Sequence, residues 1–441
     1  MSLGESNSIH VAIIGGGITG IILALGLQKR GVNFTLYERA PAFTELGAGI
    51  GFSPNAERAL KVINPEIDRV YKQLVAPTHG VEEYFQWADG YRTSEIEAKL
   101  LIGVDCFQGG RRSDFVDGWS KLISKDSVKF NKELSFLVHR DDGKVSLQFK
   151  DGSVDEADAV IGCDGIHSRV RQLILGETNP ASYASYTNKY CFRALVPMEK
   201  AQAALGTEQT TGSDKSLNRV MYNGPNAHII TYPVAQGQFM NILLVISDPH
   251  PWKTEDGKHT AAGSKGEALR AYEGWHPRVR AIAELLPEEL QKWAIFDMCE
   301  NPAPYYYRDS VAIAGDAAHA AGPHLGSGAG FGIEDALVLA TVLEAVNEKL
   351  DVQGQKAKVE LCQAALAAYN NMRYDRTQWL VGATREACAL FHWQDENVGS
   401  DFGKFLPEIT KRFHKIWKQD IDEMLRETRE EFKRLGSELP N

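Results

Sequence analysis

Three glycines at fixed spacing, Gly15, Gly17 and Gly20, stand between an apolar run over residues 9–14 and a helical pattern over 18–30. A second apolar run, 33–37, ends on the acid Glu38, with Arg39 behind it. Glycines at G-x-G-x-x-G spacing, with an acid about 20 residues further on, suit an ADP moiety. Gly15 permits a tight turn, Gly17 lets the backbone approach a pyrophosphate, and Gly20 lets the helix pack close to the strand. Free N–H groups at the helix start attract phosphate charge, and Glu38 can accept hydrogen bonds from ribose hydroxyls. Two more clusters follow apolar runs. Asp164-Gly165-x-x-Ser168-x-Val170-Arg171 comes after residues 157–161, and Gly315-Asp316-Ala317-Ala318-His319 after residues 311–314. An acid placed after a buried strand, as Asp316 is, suits the hydroxyls of a sugar or sugar alcohol.

These groups need a scaffold of ordinary globular character. The chain has 441 residues, 43% hydrophobic and 24% charged, enough for two or more units with substantial cores. A net charge of -10 argues against nucleic acid or an anionic membrane as main partner. Residues 11–27 carry no charge but fall just short of a membrane span, and three consecutive glycines interrupt them. The cysteines, Cys106, Cys163, Cys191, Cys299, Cys362 and Cys388, form no C-x-x-C pair and read as reduced thiols of a cytoplasmic protein.

The first 40 residues read as a β-α-β unit, hence right-handed and part of a parallel sheet. Gly109-Gly110-Arg111-Arg112 precedes Ser113, a candidate cap for a helix over 114–124. Runs at 134–138 and 145–149 flank Asp141-Asp142-Gly143 as a hairpin. From 183 to 296 short strand-like runs dominate (190–196, 220–222, 228–232, 239–246) and predict an antiparallel sheet in a second unit. Residues 248–265 read as a surface loop, with helical patterns on either side of Pro277 and Pro287. A strand at 311–314, a glycine-rich stretch at 315–332 and a helix through 346 follow. Past 351 the pattern is helical. Phe413, Ile416, Trp417, Ile421, Met424, Leu425, Phe432 and Leu435 fall near a helical period, for packing on the domain or, alternatively, a subunit interface.

In this order the three motifs resemble the FAD-dependent aromatic hydroxylases, single-component flavoprotein monooxygenases that include salicylate hydroxylase. The likeness is strongest to fungal members, among them hydroxylases of phenolic polyketides, and spans nearly the whole chain. It implies an α/β fold: a Rossmann-type FAD-binding domain (1–182 and 297–350), an antiparallel-sheet substrate domain (183–296) and a C-terminal helical region (351–441). It also implies that Asp316 holds the ribityl chain of FAD and that Gly326, Gly328, Ala329 and Gly330 bring backbone N–H groups to the flavin ring. Arg112 matches the arginine of an Arg-x-Asp-Phe/Leu motif that contacts FAD, with Arg111 the competing candidate. Gly47-Ala48-Gly49-Ile50 is similar to a loop beside the isoalloxazine, and Asp164 belongs to a motif linked to both FAD and the pyridine nucleotide. The family more often has Gln or His where Leu325 stands and Ser or Thr where Gly322 stands, so the flavin environment differs here. No second glycine fingerprint is present for NADH or NADPH, as expected of a family in which that reductant visits transiently.

The resemblance further implies that NAD(P)H reduces the flavin and that O2 forms a C4a-hydroperoxide, which oxygenates a small phenolic substrate activated as its phenolate. A ring carbon bearing carboxylate then loses CO2, as in salicylate hydroxylation. One bearing hydrogen is hydroxylated, and one bearing carbon is dearomatised, as in phenolic-polyketide metabolism. Arg193 resembles the arginine that binds the phenolate, and Tyr222 and Tyr232 are both candidates for the accompanying tyrosine, Tyr222 fitting slightly better. His324 stands where salicylate hydroxylases carry a histidine after proline and could relay a proton, whereas His319 reads as a positioning residue. No metal, nucleic acid or membrane span is implied, and a monomer or homodimer is expected. Two competing readings are another flavin oxidoreductase and a non-enzymatic nucleotide-sensing scaffold. The W-x-W-x-I-P pattern of flavin halogenases is absent, and the intact glycines and acids argue against the scaffold.

Overall fold

The strand His10–Ile14 lies at the centre of a six-stranded sheet, flanked in parallel by Asn33–Tyr37 and Ala159–Gly162. Val11, Ala12 and Ile13 are wholly buried, as a strand covered on both faces must be. The sheet continues to Val128–Lys129 on one side and to Val311–Ile313 and Tyr307–Arg308 on the other. The computed structural model describes residues 8–43, 49–75, 83–103, 109–205, 218–254, 258–353 and 357–437. Helix Ile18–Lys29 packs against the long helix Gly328–Gln353. At Gly26 an added Cβ would stand 3.1 Å from the Cβ of Ala340, so glycine sets that close approach.

The hairpin expected around Asp141-Asp142-Gly143 forms between Leu134–His139 and Val145–Phe149, with Gly143 at φ +82°. A third strand, Val154–Ala157, completes this small sheet. The helix expected from 114 begins earlier, at Arg112, and Arg111 rather than Ser113 is its cap residue.

An eight-stranded sheet forms the second layer. It runs Thr260–Ser264, Glu289–Asp297, Ser185–Pro197, Phe239–Ser247, Ala227–Val234, Arg219–Gly224, Glu83–Asp89 and Ile96–Gly103. Two findings differ from the sequence reading. The stretch expected to be a loop supplies the edge strand Thr260–Ser264, and the residues after Pro287, expected to be helical, form the strand Glu289–Asp297. These two pair with each other, so cross-strand partners override local helical preference. The sheet also draws in residues 83–103, and Arg219–Gly224 runs parallel to Glu83–Asp89, the one parallel pair in it among the described residues.

One face of this sheet packs on the helices Lys265–Ala271 and Pro277–Glu284 through Phe192, Leu244, Ile229, Tyr222, Tyr272 and Trp275. The opposite face, with Phe85, Trp87 and Met221, is covered by helices Lys358–Phe391 and Phe402–Trp417 through Leu390, Phe405 and Phe413. Leu325 and Phe331, from the glycine-rich stretch, join the same cluster. The C-terminal periodicity is real but split: residues 418–420 separate Phe402–Trp417 from Ile421–Ser437, and Asp420 caps the second helix by accepting from the Glu423 amide at 2.9 Å. Phe413, Ile416 and Trp417 pack in the second-layer cluster, while Ile421, Met424 and Phe432 join the core around the first sheet. No helix among the described residues is long and apolar enough to cross a membrane.

Candidate active site

A cavity of about 770 Å³ opens at the carboxyl ends of the central strands of the six-stranded sheet. Gly15 turns the chain there at φ +106°, and a Cβ on it would stand 2.5 Å from the carbonyl oxygen of Cys163, so only glycine fits. Gly20 is excluded from the cavity and faces the strand, where a Cβ would meet the Gly15 oxygen at 2.0 Å. Gly17 has nothing within 4 Å of its would-be Cβ and begins helix Ile18–Lys29 with no side-chain cap. Its neighbouring N–H groups are therefore available to an anion. The Glu38 carboxylate accepts from the amides of Gly16 at 2.7 Å and Ala40 at 2.8 Å, which fixes it at the rim beside Arg39.

The second motif is locked by its own hydrogen bonds. Asp164 accepts from the Ser168 hydroxyl at 2.5 Å and from the amides of Arg169 at 2.7 Å and Val170 at 3.1 Å, capping helix Arg169–Leu175. Burial pushes this carboxyl up from its ordinary value, and those same bonds oppose the shift. Arg171, wholly buried, reaches across to the third motif, donating to the carbonyls of Ala317 at 2.8 Å and Ser182 at 3.1 Å.

The third motif turns at Gly315, φ +61°, where a Cβ would collide with the Thr19 hydroxyl at 2.5 Å. The Gly315 amide donates to Asp335 at 2.9 Å, and His319 shares the same carboxylate oxygen at 2.5 Å. His319 is thus a positioning residue. Asp335 is paired in turn with Arg373 at 2.8 Å, and Arg373 with Glu334 at 2.7 Å, all with no exposed side-chain surface. The sequence reading missed this network, which holds Asp316 at the cavity wall. The Asp316 side chain makes no hydrogen bond among the described residues, and its Oδ1 is 4.0 Å from where a Cβ on Gly328 would stand.

Gly15, Gly17, Glu38, Arg39, Arg112, Asp164, Asp316, Gly328 and Ala329 all line this one cavity. Arg111 does not: it pairs with Asp114 at 2.8 Å on the surface. Gly49 is also outside the lining; its would-be Cβ stands 2.7 Å from Asn241 Oδ1, where the two layers meet, and its neighbour Ile50 lines the cavity. Gly47 and Ala48 lie outside the described residues, as does Cys106. The donor set fits an ADP-linked dinucleotide: open helix starts and arginines for phosphates, Glu38 for a ribose, Asp316 for a polyol, and a side-chain-free approach at Gly17 and Gly328.

The second layer stands beside this cavity and meets it at Gly49, the neighbour of the lining residue Ile50. Strand register places Arg193, Leu243, Ile230 and Met221 in one row, with Leu195, Asn241 and Tyr232 in the next row on the same face. Arg193 and Tyr232 therefore share the face that meets Gly49 through Asn241. Burial pushes the Tyr232 phenol up to about 12, against the lowering charges of Arg193 and Arg219. The Arg193 guanidinium lies over the Trp293 ring at 5.5 Å. Tyr222, favoured from sequence, is in register with Ile229, Leu244 and Phe192 and sits in the core behind the sheet. Alternation of side chains along a strand puts it on the face opposite Arg193, whereas Tyr232, the other candidate, shares Arg193's face. His324 is buried between this face and the glycine-rich stretch, its ring 5.6 Å from that of His228 and its Nδ1 without a partner among the described residues. Burial holds it well below its ordinary value, hence neutral.

Residues 8–358 match the family model described as FAD binding domain. The chain is 46% identical over 437 residues to the FAD-dependent monooxygenase pigN of Monascus ruber, covering 98% of each. It is 38% identical to the salicylate hydroxylase asL1 of Sarocladium schorii, covering 98% of this chain and 93% of that one. Among solved structures, a salicylate hydroxylase substrate complex superposes with a TM-score of 0.83 at 28% identity, covering 96% of this chain and 98% of the other.

Proposed function

The chain belongs to the FAD binding domain family and is an FAD-dependent aromatic-ring monooxygenase of salicylate hydroxylase type, and on that premise we propose that its substrate is a phenol bound as the phenolate. The observation that carries this reading is that Arg193 and Tyr232 lie on one face of the second sheet, the face that meets Gly49 through Asn241. FAD, once bound, passes electrons from NADH or NADPH to O2 and so supplies the activated oxygen.

The protein's own residues do the rest. Glu38, Arg39, Arg112, Asp164, Asp316 and the backbone at Gly15, Gly17, Gly328 and Ala329 would hold the cofactor. Arg193, fixed over Trp293, provides a permanent cation for the phenol oxygen and lowers the pKa of the bound phenol. Ionisation makes the ring carbons ortho and para to that oxygen electron-rich, which an electrophilic oxygen donor requires. Tyr232, held protonated by burial, donates a hydrogen bond to the same oxygen. His324, buried in the glycine-rich stretch with Nδ1 unpartnered among the described residues, is held neutral by burial and so serves as a hydrogen-bonding group rather than a base. Placement of one ring carbon near the flavin selects the product. The salicylate-type outcome, in which that carbon bears carboxylate and CO2 leaves, is the first reading.

The deciding experiment supplies salicylate, hydroxybenzoates and alkylated resorcyl aldehydes with NADH or NADPH, following nucleotide consumption and product mass. Gain of one oxygen with loss of CO2 from salicylate is expected. Gain of one oxygen with the carbon skeleton kept would move the assignment to hydroxylation or dearomatisation of a phenolic polyketide. No phenol-stimulated consumption across the panel would reject the phenol reading.

A further inference from the structure

We propose that His228, His392 and Ser247 form a proton-conducting chain that carries the phenol proton from the sheet face beside Arg193 to solvent. The proposal rests on the phenol reading above. His228 is on the same face as Arg193, one row further along: His228, Val245 and Cys191 are in register, next to Ile230, Leu243 and Arg193. From there the hydrogen bonds run outward without a break. His228 Nδ1 is 2.8 Å from His392 Nε2, and His392 Nδ1 is 2.9 Å from the Ser247 hydroxyl. Ser247 is half-buried and accepts from the exposed Gln394 at 3.2 Å.

The chemistry of the rings suits transport. A neutral imidazole donates at one nitrogen and accepts at the other, and His392 uses both, head to tail. Burial keeps the three rings neutral: His228 is held at about 3, and His392 and His324 well below their ordinary value. Lys189, on the strand Ser185–Pro197, lowers all three further, and the Cys388 thiol, 3.7 Å from His392 Nε2, is pushed up to about 12 by burial. No carboxylate contributes to any of these shifts, so the rings are not fixed as imidazolium. In the transfer the phenol O–H breaks and the oxygen keeps the electron pair beside Arg193. The proton enters at His228 Nε2; the Nδ1 proton passes to His392 Nε2; the His392 Nδ1 proton passes to Ser247, whose hydroxyl proton leaves to water.

His228, His392 and Cys388 also place their ligand atoms within 4.8 Å of one another, as a metal site would. Two nitrogens on one tetrahedral zinc, with bonds of about 2.0–2.1 Å, stand roughly 3.3 Å apart. The observed 2.8 Å is a hydrogen-bond separation, and the charge of Lys189 opposes a second cation.

The test follows phenolate formation in the flavin-loaded enzyme without O2, by stopped-flow absorbance on mixing with an alkylated 2,4-dihydroxybenzaldehyde. Glutamine at 392 can keep both hydrogen bonds but cannot pass a proton. His392→Gln is expected to slow phenolate appearance by about 10²-fold and to change its solvent isotope effect, with FAD content and aldehyde affinity unchanged. Ser247→Ala, which removes the last link and little volume, is expected to act in the same direction. Unchanged rates and isotope effects in a folded variant overturn the chain. A wild-type enzyme that forms no phenolate at all overturns the phenol reading instead, and the chain with it.

Discussion

Replacing Arg373 with methionine is expected to lower the apparent Tm by roughly 3–5 °C and to reduce flavin occupancy, although residue 373 lies outside the cavity lining. The guanidinium is fully buried and is paired with both Glu334 and Asp335, two adjacent carboxylates that have no exposed side-chain surface. Removing one partner of a buried ion pair leaves uncompensated charge in a dry interior, at a cost of about 3–5 kcal/mol. Arg376 still pairs with Glu334 at 2.9 Å, and His319 with Asp335 at 2.5 Å, which places the loss toward the lower end of that range. Flavin occupancy suffers because Asp335 also holds the Gly315 amide, and with it the turn that presents Asp316.

The same network gives a pH signature. Burial alone would raise the Glu334 carboxyl, but the charges of Arg373 and Arg376 outweigh it and hold the group at about 2. A carboxyl depressed in the folded state stabilises fully above its unfolded value near 4.5 and loses that stabilisation as pH falls toward 2. In Arg373→Met the folded value rises toward the unfolded one, so less stabilisation is lost below pH 4.5 and the loss is complete at a higher pH than in the wild type. Thermal unfolding by circular dichroism between pH 3 and 8, with flavin absorbance per polypeptide, checks both points. An unchanged Tm would show that the paired charges contribute nothing beyond their own desolvation.

Arg193→Ala is expected to retain bound FAD and lose phenol-stimulated NAD(P)H consumption by about 10²–10³-fold, the usual cost of removing one donor to a developing oxyanion. The side chain is not part of the cofactor cavity lining, and its ring partner, Trp293, belongs to the second sheet. Arg193→Lys should recover part of the activity through charge alone, without the planar fork. Turnover that matches wild type in Arg193→Ala would remove this residue from the substrate site.

The cofactor half of the site was legible because its elements are local. Gly15, Gly17, Gly20 and Glu38 fall within one β-α-β unit, and Asp164 accepts its hydrogen bonds from residues within six positions of it. The substrate half depends on strand register, which links residues tens of positions apart. Period-two alternation within Ala227–Val234 would have grouped His228 with Tyr232, yet nothing local relates that strand to Arg193. Only the pairing through Phe239–Ser247 puts them on one face and Tyr222 on the other. Arg373 and Asp335 stand 38 positions apart on separate helices, and His228 and His392 stand 164 apart. Both pairs are made by tertiary packing alone.

The tie between Asp335 and Arg373 also has a consequence for the order of events during synthesis. Chains emerge from the ribosome N-terminus first, so the glycine turn and Glu38 are delivered almost at once. The strand Val311–Ile313, the turn at Gly315 and the arginine that steadies its tether arrive only in the last third of translation. On the proposed cofactor assignment, the nascent chain thus carries its phosphate-binding turn long before the segment that would hold the middle of the cofactor. On the same assignment, firm capture of FAD would wait until the helix carrying Arg373 folds back onto Gly328–Gln353.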